Sequence, residues 1–196
     1  MTQHPLIFLI GLHGVGKSTI GKHLAAEHKY RHLSIGDIGR LVRKRKMPAG
    51  YSARFLLLLA GHEPGERMSP RLVEALHAEI ARQNAFGPLV VDGFPAEPYH
   101  VMDLPTGSTV IRLSCDEDER MKRLTHRSET TARKWNHETI DSRRDRQIEA
   151  VFEVAMERKE IHVAEIQANP SPAEIATKIQ ECTKFFSRAC HQSNSP

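Results

Sequence analysis

The stretch Gly11-Leu-His-Gly-Val-Gly-Lys-Ser-Thr19 holds the residues with the clearest chemistry. Gly11, Gly16, Lys17 and Ser18 occupy the fixed positions of G-x-x-x-x-G-K-[ST], a loop that wraps a phosphate chain. Gly14 and Gly16 let the backbone N–H groups of the segment through Val15 to Thr19 close on phosphate oxygens. Lys17 then reaches the β- and γ-phosphates of a nucleoside triphosphate, and the Ser18 hydroxyl suits Mg²⁺. A second candidate is Asp92, which ends the apolar run Leu89-Val-Val91 and could hold the same ion directly or through water. Arginines are plentiful, and a guanidinium fork binds phosphate oxygens with two parallel hydrogen bonds. His13 lies inside the loop, where it either touches a phosphate or faces solvent.

Such a loop works only between a strand and a helix, so the elements around it matter. Pro5-Leu-Ile-Phe-Leu-Ile10 reads as a strand buried on both faces, and a helix is expected from Lys17 to about His28. A short strand near 32–34 leads to a helix with Asp37 as its cap, and a buried helix falls within Tyr51–Ala60. Ser69-Pro70 starts a helix running to about Phe86. Further strands are expected at 89–91, 109–113 and 161–166. Helices are expected at 116–124, from His137 to about Lys159, and at 172–186. This alternation predicts an α/β fold with a parallel sheet. The tail from 187 to 196 is polar and expected to be flexible.

Composition narrows the class. A chain of 196 residues suits one domain, and a formal charge of +4 suits a phosphate-rich ligand. Three cysteines without a CxxC pair argue against a disulfide framework or structural zinc and for a reducing compartment. The twelve histidines show no H-x-x-x-H or H-E-x-x-H spacing, so no transition metal is assigned. No apolar run reaches spanning length and the N-terminus lacks a basic signal region, so the expectation is cytoplasmic, with no membrane partner. The basic run Arg43-Lys-Arg-Lys46 is taken as the wet end of a helix, with no nucleic-acid partner expected.

Three motifs in order resemble one family. Leu33-Ser-Ile-Gly-Asp37 with Arg40 resembles the S-T-G-D-x-x-R motif of adenylate and other nucleoside monophosphate kinases, and Asp92-Gly-Phe-Pro95 resembles their D-G-[FY]-P-R motif. Arg123, Arg127, Arg133 and Arg144 match the spacing of four family arginines, with Arg143 beside Arg144 leaving that register open by one residue. The resemblance implies a P-loop fold: a five-stranded parallel sheet wrapped by helices, an acceptor-binding region at about 35–68 and a short lid at about 127–137. It implies that Arg40 meets the acceptor phosphate and that Arg123 lies against the donor base. Arg127, Arg133 and Arg144 would surround the migrating phosphoryl group, with Lys17. Ser34, Ile35, Gly36, Gly93, Phe94 and His100 would face the acceptor.

The pattern breaks on one side only. Ala96 stands where the family has an arginine that grips the acceptor phosphate, and His100 replaces a glutamine that reads the adenine edge. Ile35 replaces a threonine beside the adenine, and Trp135-Asn136 replace paired aspartates after the lid. A lost charge-assisted bond is worth roughly 1.5–3 kcal/mol, so AMP is expected to bind about tenfold more weakly or worse. The expectation is a monomeric phosphotransferase that moves the γ-phosphate of ATP, with Mg²⁺, in line to a nucleotide-like small acceptor. The alternatives are a kinase of a non-nucleotide metabolite and a non-catalytic nucleotide-binding module.

Overall fold

Five short apolar segments pair edge to edge and set everything else. In the computed structural model, which describes residues 4–130 and 143–192, they are β1 (Leu6–Ile10), β2 (Arg31–Ser34), β3 (Leu89–Asp92), β4 (Thr109–Ser114) and β5 (His162–Gln167). They form one parallel sheet in the order β2-β3-β1-β4-β5. β1 is central and buried throughout, as its unbroken apolar run predicts. Alternate side chains leave it on opposite faces. Leu6, Phe8 and Ile10 join one core, shared with helices α2 (Ile35–Arg43), α3 (Ala53–Ala60) and α4 (Pro70–Asn84). Ile7 and Leu9 join the other core, under α1 (Lys17–Glu27) and the last helix.

The remaining helices are α5 (Pro98–Met102), α6 (Glu117–Thr130), α7 (Arg143–Glu157) and α8 (Pro172–Gln192). Several boundaries differ from expectation. Asp37 does not cap α2. The helix begins three residues earlier because Ser34, still extended at the end of β2, accepts the Asp37 N–H on its hydroxyl. Asp37 instead lies in the first turn, where the helix dipole favours its charge. α6 runs past Leu124 to Thr130, since no Gly or Pro interrupts it, and Asp116 stays outside. α8 continues past Phe186 to Gln192. α5 was not expected from the sequence. Its five residues are too short for a periodic signal, and Pro98 with a Glu97–His100 capping box holds them.

Register assembles the site at the carboxyl edge of the sheet. Asp92 lies beside Leu9 of β1 and Ser34 of β2, so the ends of three strands meet under α1. Among the described residues, no helix is long and apolar enough to cross a membrane.

Candidate active site

The loop between β1 and α1 has the expected form. Gly14 takes φ +90°, and a Cβ there would sit 2.9 Å from Leu124 Cγ, so α6 packs directly on the loop. Val15 is buried, Thr19 is exposed, and Gly16 is the left-handed cap that turns the chain into α1. Lys17 Nζ donates to the carbonyls of Gly11 and Leu12, at 2.6 and 2.7 Å. Its charge is thereby held at the first half of the loop. Ser18 is half-buried at the start of α1, and Gly11 ends β1 in the buried layer.

Two arginines of α6 brace the loop from outside. Arg123 donates from Nη1 to the Val15 carbonyl at 3.3 Å and from Nη2 to the Ala168 carbonyl at 2.9 Å. Arg120 donates from Nη1 to the His13 carbonyl at 3.3 Å and is held at its other edge by Glu117. No motif or spacing marks Arg120 in the sequence. His13 neither faces open solvent nor waits for a phosphate alone: its Nδ1 lies 2.8 Å from Asp145 Oδ1 of α7. Its backbone N–H also donates to that carboxylate, at 3.1 and 3.3 Å.

Asp92 is buried and doubly bonded. His32 Nε2 donates to Oδ2 at 2.7 Å and the Ser34 hydroxyl donates to Oδ1 at 3.1 Å. Burial alone would raise its carboxyl pKa. The His32 hydrogen bond and charge, the nearby Lys17 charge and the Ser34 hydroxyl outweigh that and hold it below the ordinary carboxylate range. The acceptor motif surrounds the same point. Ile35 is buried against Gly93, whose added Cβ would meet Ile35 Cβ at 2.9 Å. Arg40 pairs with Asp37 and packs over Gly36, and Asp37 also reaches Lys22 of α1 at 3.2 Å. Phe94, fully buried, lies against the His100 ring with centroids 4.7 Å apart.

His100 Nδ1 accepts the N–H groups of Ala96 and Glu97, at 3.2 and 3.3 Å. A ring nitrogen facing two donors carries no proton, so His100 is the neutral Nε2–H tautomer. It lines a cavity of about 80 Å³ together with His62, Glu66, Ala96, Glu97 and Gln147. Arg67 Nε donates to the buried Glu97 carboxylate at 2.9 Å, and its guanidinium lies 5.6 Å from the Tyr99 ring centroid. Arg127 lies on α6, one turn beyond Arg123. Arg133 falls outside the described residues, as does the side chain of Arg144 on α7.

A family profile described as an AAA domain matches residues 7–151. The chain belongs to that family. Its relatives place it with the adenylate kinase-like P-loop proteins. It is 29% identical over 134 residues to an adenylate kinase of Chlamydia pneumoniae, covering 65% of this chain and 61% of that one. It is 27% identical over 168 residues to an adenylate kinase of Nocardioides sp., covering 80% and 86%. The chain thus spans about three-fifths of the Chlamydia relative it matches. A gluconokinase structure from Sinorhizobium meliloti 1021 superposes with a TM-score of 0.61 at 16% identity, over 97% of this chain and 98% of that one. That likeness speaks for the fold.

For this P-loop family member, the donor set at the sheet edge suits a hard cation. Mg²⁺ takes oxygen donors, one or two from protein and the rest from phosphate and water. The Ser18 hydroxyl and an ionised Asp92 supply that chemistry, and among the described residues no group of three or more His, Cys, Asp or Glu competes for another metal. Three residues that sequence reasoning missed shape the site: His32, Arg120 and Asp145. Each acts from an element distant in sequence from the loop or from Asp92, so no local motif marks it.

Proposed function

We propose that this chain is an ATP-dependent phosphotransferase whose acceptor offers a hydroxyl where an adenylate kinase would receive a phosphate. The donor half follows from the loop: backbone N–H groups and Lys17 for the phosphates, with Ser18 and Asp92 for Mg²⁺. Arg123, bonded through its edge, offers a flat face to the base.

One observation carries the acceptor half. Ala96, in place of the phosphate-gripping arginine, forms a wall of the cavity described above, beside two carboxylates, Glu66 and Glu97. A phosphate dianion gains nothing from such a wall, whereas hydroxyls can donate to carboxylates and accept from the amide of Gln147. At about 80 Å³ the cavity is also well below the ~300–1,000 Å³ of ordinary ligand pockets, which favours a small polyhydroxy molecule over a nucleotide. The gluconokinase likeness fits this reading without naming the substrate.

A second reading, a nucleotide-like acceptor, is favoured by Arg40, which stands where the family motif places a cation for the acceptor phosphate. Transfer from labelled MgATP to a panel of nucleoside monophosphates, nucleosides, sugar acids and polyols separates the two. The expected result is label on a hydroxyl compound, with AMP at least about tenfold poorer in kcat/KM. AMP as the best acceptor would overturn the proposal.

A further inference from the structure

We infer that Arg67 is a specificity-determining residue of the cavity beside Ala96, and that its outer edge takes a carboxylate of the incoming molecule. Joined to the hydroxyl-acceptor reading, on which this step rests, it makes the acceptor a small polyhydroxy acid.

Arg67 belongs to the wall of that cavity. Its sequence neighbours Glu66 and Met68 line it, and so do Ala96 and Glu97. Arg67 Nε donates to Glu97 Oε2 at 2.9 Å, and its guanidinium lies 5.6 Å from the Tyr99 ring centroid. These two contacts fix the guanidinium beside Glu97. The Glu97 side chain is only 8% exposed, against 63% for Arg67. The buried carboxylate is therefore the anchor and the guanidinium the open end. Among the described residues, Nη1 and Nη2 of Arg67 donate to no protein atom. A guanidinium bound through Nε keeps that outer edge, whose two parallel N–H groups match the two oxygens of a carboxylate. Ala96 removes a guanidinium from this wall, and Arg67 brings one from the α3–α4 connection, held by the residue next to Ala96.

Charge and size favour a carboxylate on a larger molecule. Glu97 already offsets the Arg67 charge, and Glu66 lies in the same wall. A second guanidinium, Arg43, reaches the carbonyl of the wall residue His62 at 3.4 Å. Two cations against two carboxylates leave no surplus for a phosphate dianion, whereas a carboxylate needs one fork and carries one charge. At about 80 Å³ the cavity encloses only part of a sugar-sized molecule. The rest must extend past the wall, where the exposed fork can meet it.

Titration of the ¹⁵N-labelled full chain with aldonates of three to six carbons, the corresponding alditols and their phosphate esters tests the fork without any transfer. The Arg67 Nε–H resonance is assigned by its loss in Arg67→Gln. It should move with an aldonate and stay in place with the alditol. In transfer from labelled MgATP, the best aldonate should exceed its alditol in kcat/KM by about tenfold or more. Arg67→Gln should bring that ratio to about one by raising the aldonate KM. Arg67→Lys keeps the charge without the fork and should recover only part of the ratio. An Arg67 resonance unmoved by every aldonate would overturn the inference, and so would one moved more strongly by a phosphate ester. An aldonate-to-alditol ratio unchanged in both variants would reduce Arg67 to a structural partner of Glu97 and overturn it as well. AMP as the best acceptor, with the aldonate still moving the Arg67 resonance, would overturn the hydroxyl-acceptor reading alone.

Discussion

Asp92 owes its ionised state to neighbours on other elements. The closest is His32, and His32 has room for its ring only because residue 21 on α1 is glycine. A Cβ at Gly21 would lie 2.4 Å from His32 Nε2, a separation no real pair adopts. Gly21→Ala must therefore push the imidazole off the carboxylate. Overpacking of this kind costs about 1–3 kcal/mol, readable in urea unfolding. The concentration of Mg²⁺ needed for half-maximal transfer should also rise, because the carboxylate loses its orienting donor. Unchanged stability and Mg²⁺ dependence would mean that the ring relaxes without consequence. Lys17, Ser18 and Asp92 stood out in the sequence because the roles proposed for them follow from spacing or from a strand end. His32 did not, because its partner is set by the β2–β3 register, which aligns Ser34 with Asp92 and appears only once the strands are paired.

Among the helices, α4 holds the start of α3 through Glu79. This carboxylate is 1% exposed and accepts from Gln83 Nε2 at 2.7 Å, Arg82 Nε at 3.2 Å and the Ser52 backbone N–H at 3.1 Å. Ser52 caps α3, so Glu79 ties the start of α3 to α4. Burial would raise the carboxyl pKa, but the hydrogen bonds from Arg82, Gln83 and Ser52 hold it below its ordinary value. A depressed carboxyl contributes stability above its unfolded pKa, near 4.3, and loses it as pH falls through the folded value. Glu79→Gln should cost about 1–3 kcal/mol at pH 7. The gap from wild type should close as acid unfolding curves are taken below about pH 4. A constant gap across that range would contradict the ionic role. The long helix α4 was readable from Ser69-Pro70 and its apolar face. The start of α2 was misplaced because Ser34 and Asp37 are both good caps, and only the extended backbone of Ser34 decides between them.

Across the whole molecule, the phosphate-loop motif is one contiguous segment, so it is written in nine consecutive residues, Gly11–Thr19, while Asp92 and Arg123 join it from β3 and α6. The cavity beside Ala96, where we propose the acceptor binds, draws on the α3–α4 connection, the turn into α5 and α7, so its character emerges only when the chain is folded. The sequence did reveal that the family arginine is missing at Ala96. It could not reveal that Glu97 would be buried beside that position with Arg67 across it. We propose that an intact triphosphate loop works with an acceptor cavity that lacks the family's arginine at Ala96. The most direct measurement is calorimetric titration of the full chain with ATP and with a bisubstrate analogue that joins two adenosines through five phosphates. The analogue should bind within about threefold of ATP, since only its donor half finds partners. Binding about a hundredfold tighter than ATP, worth roughly 2.7 kcal/mol, would contradict it.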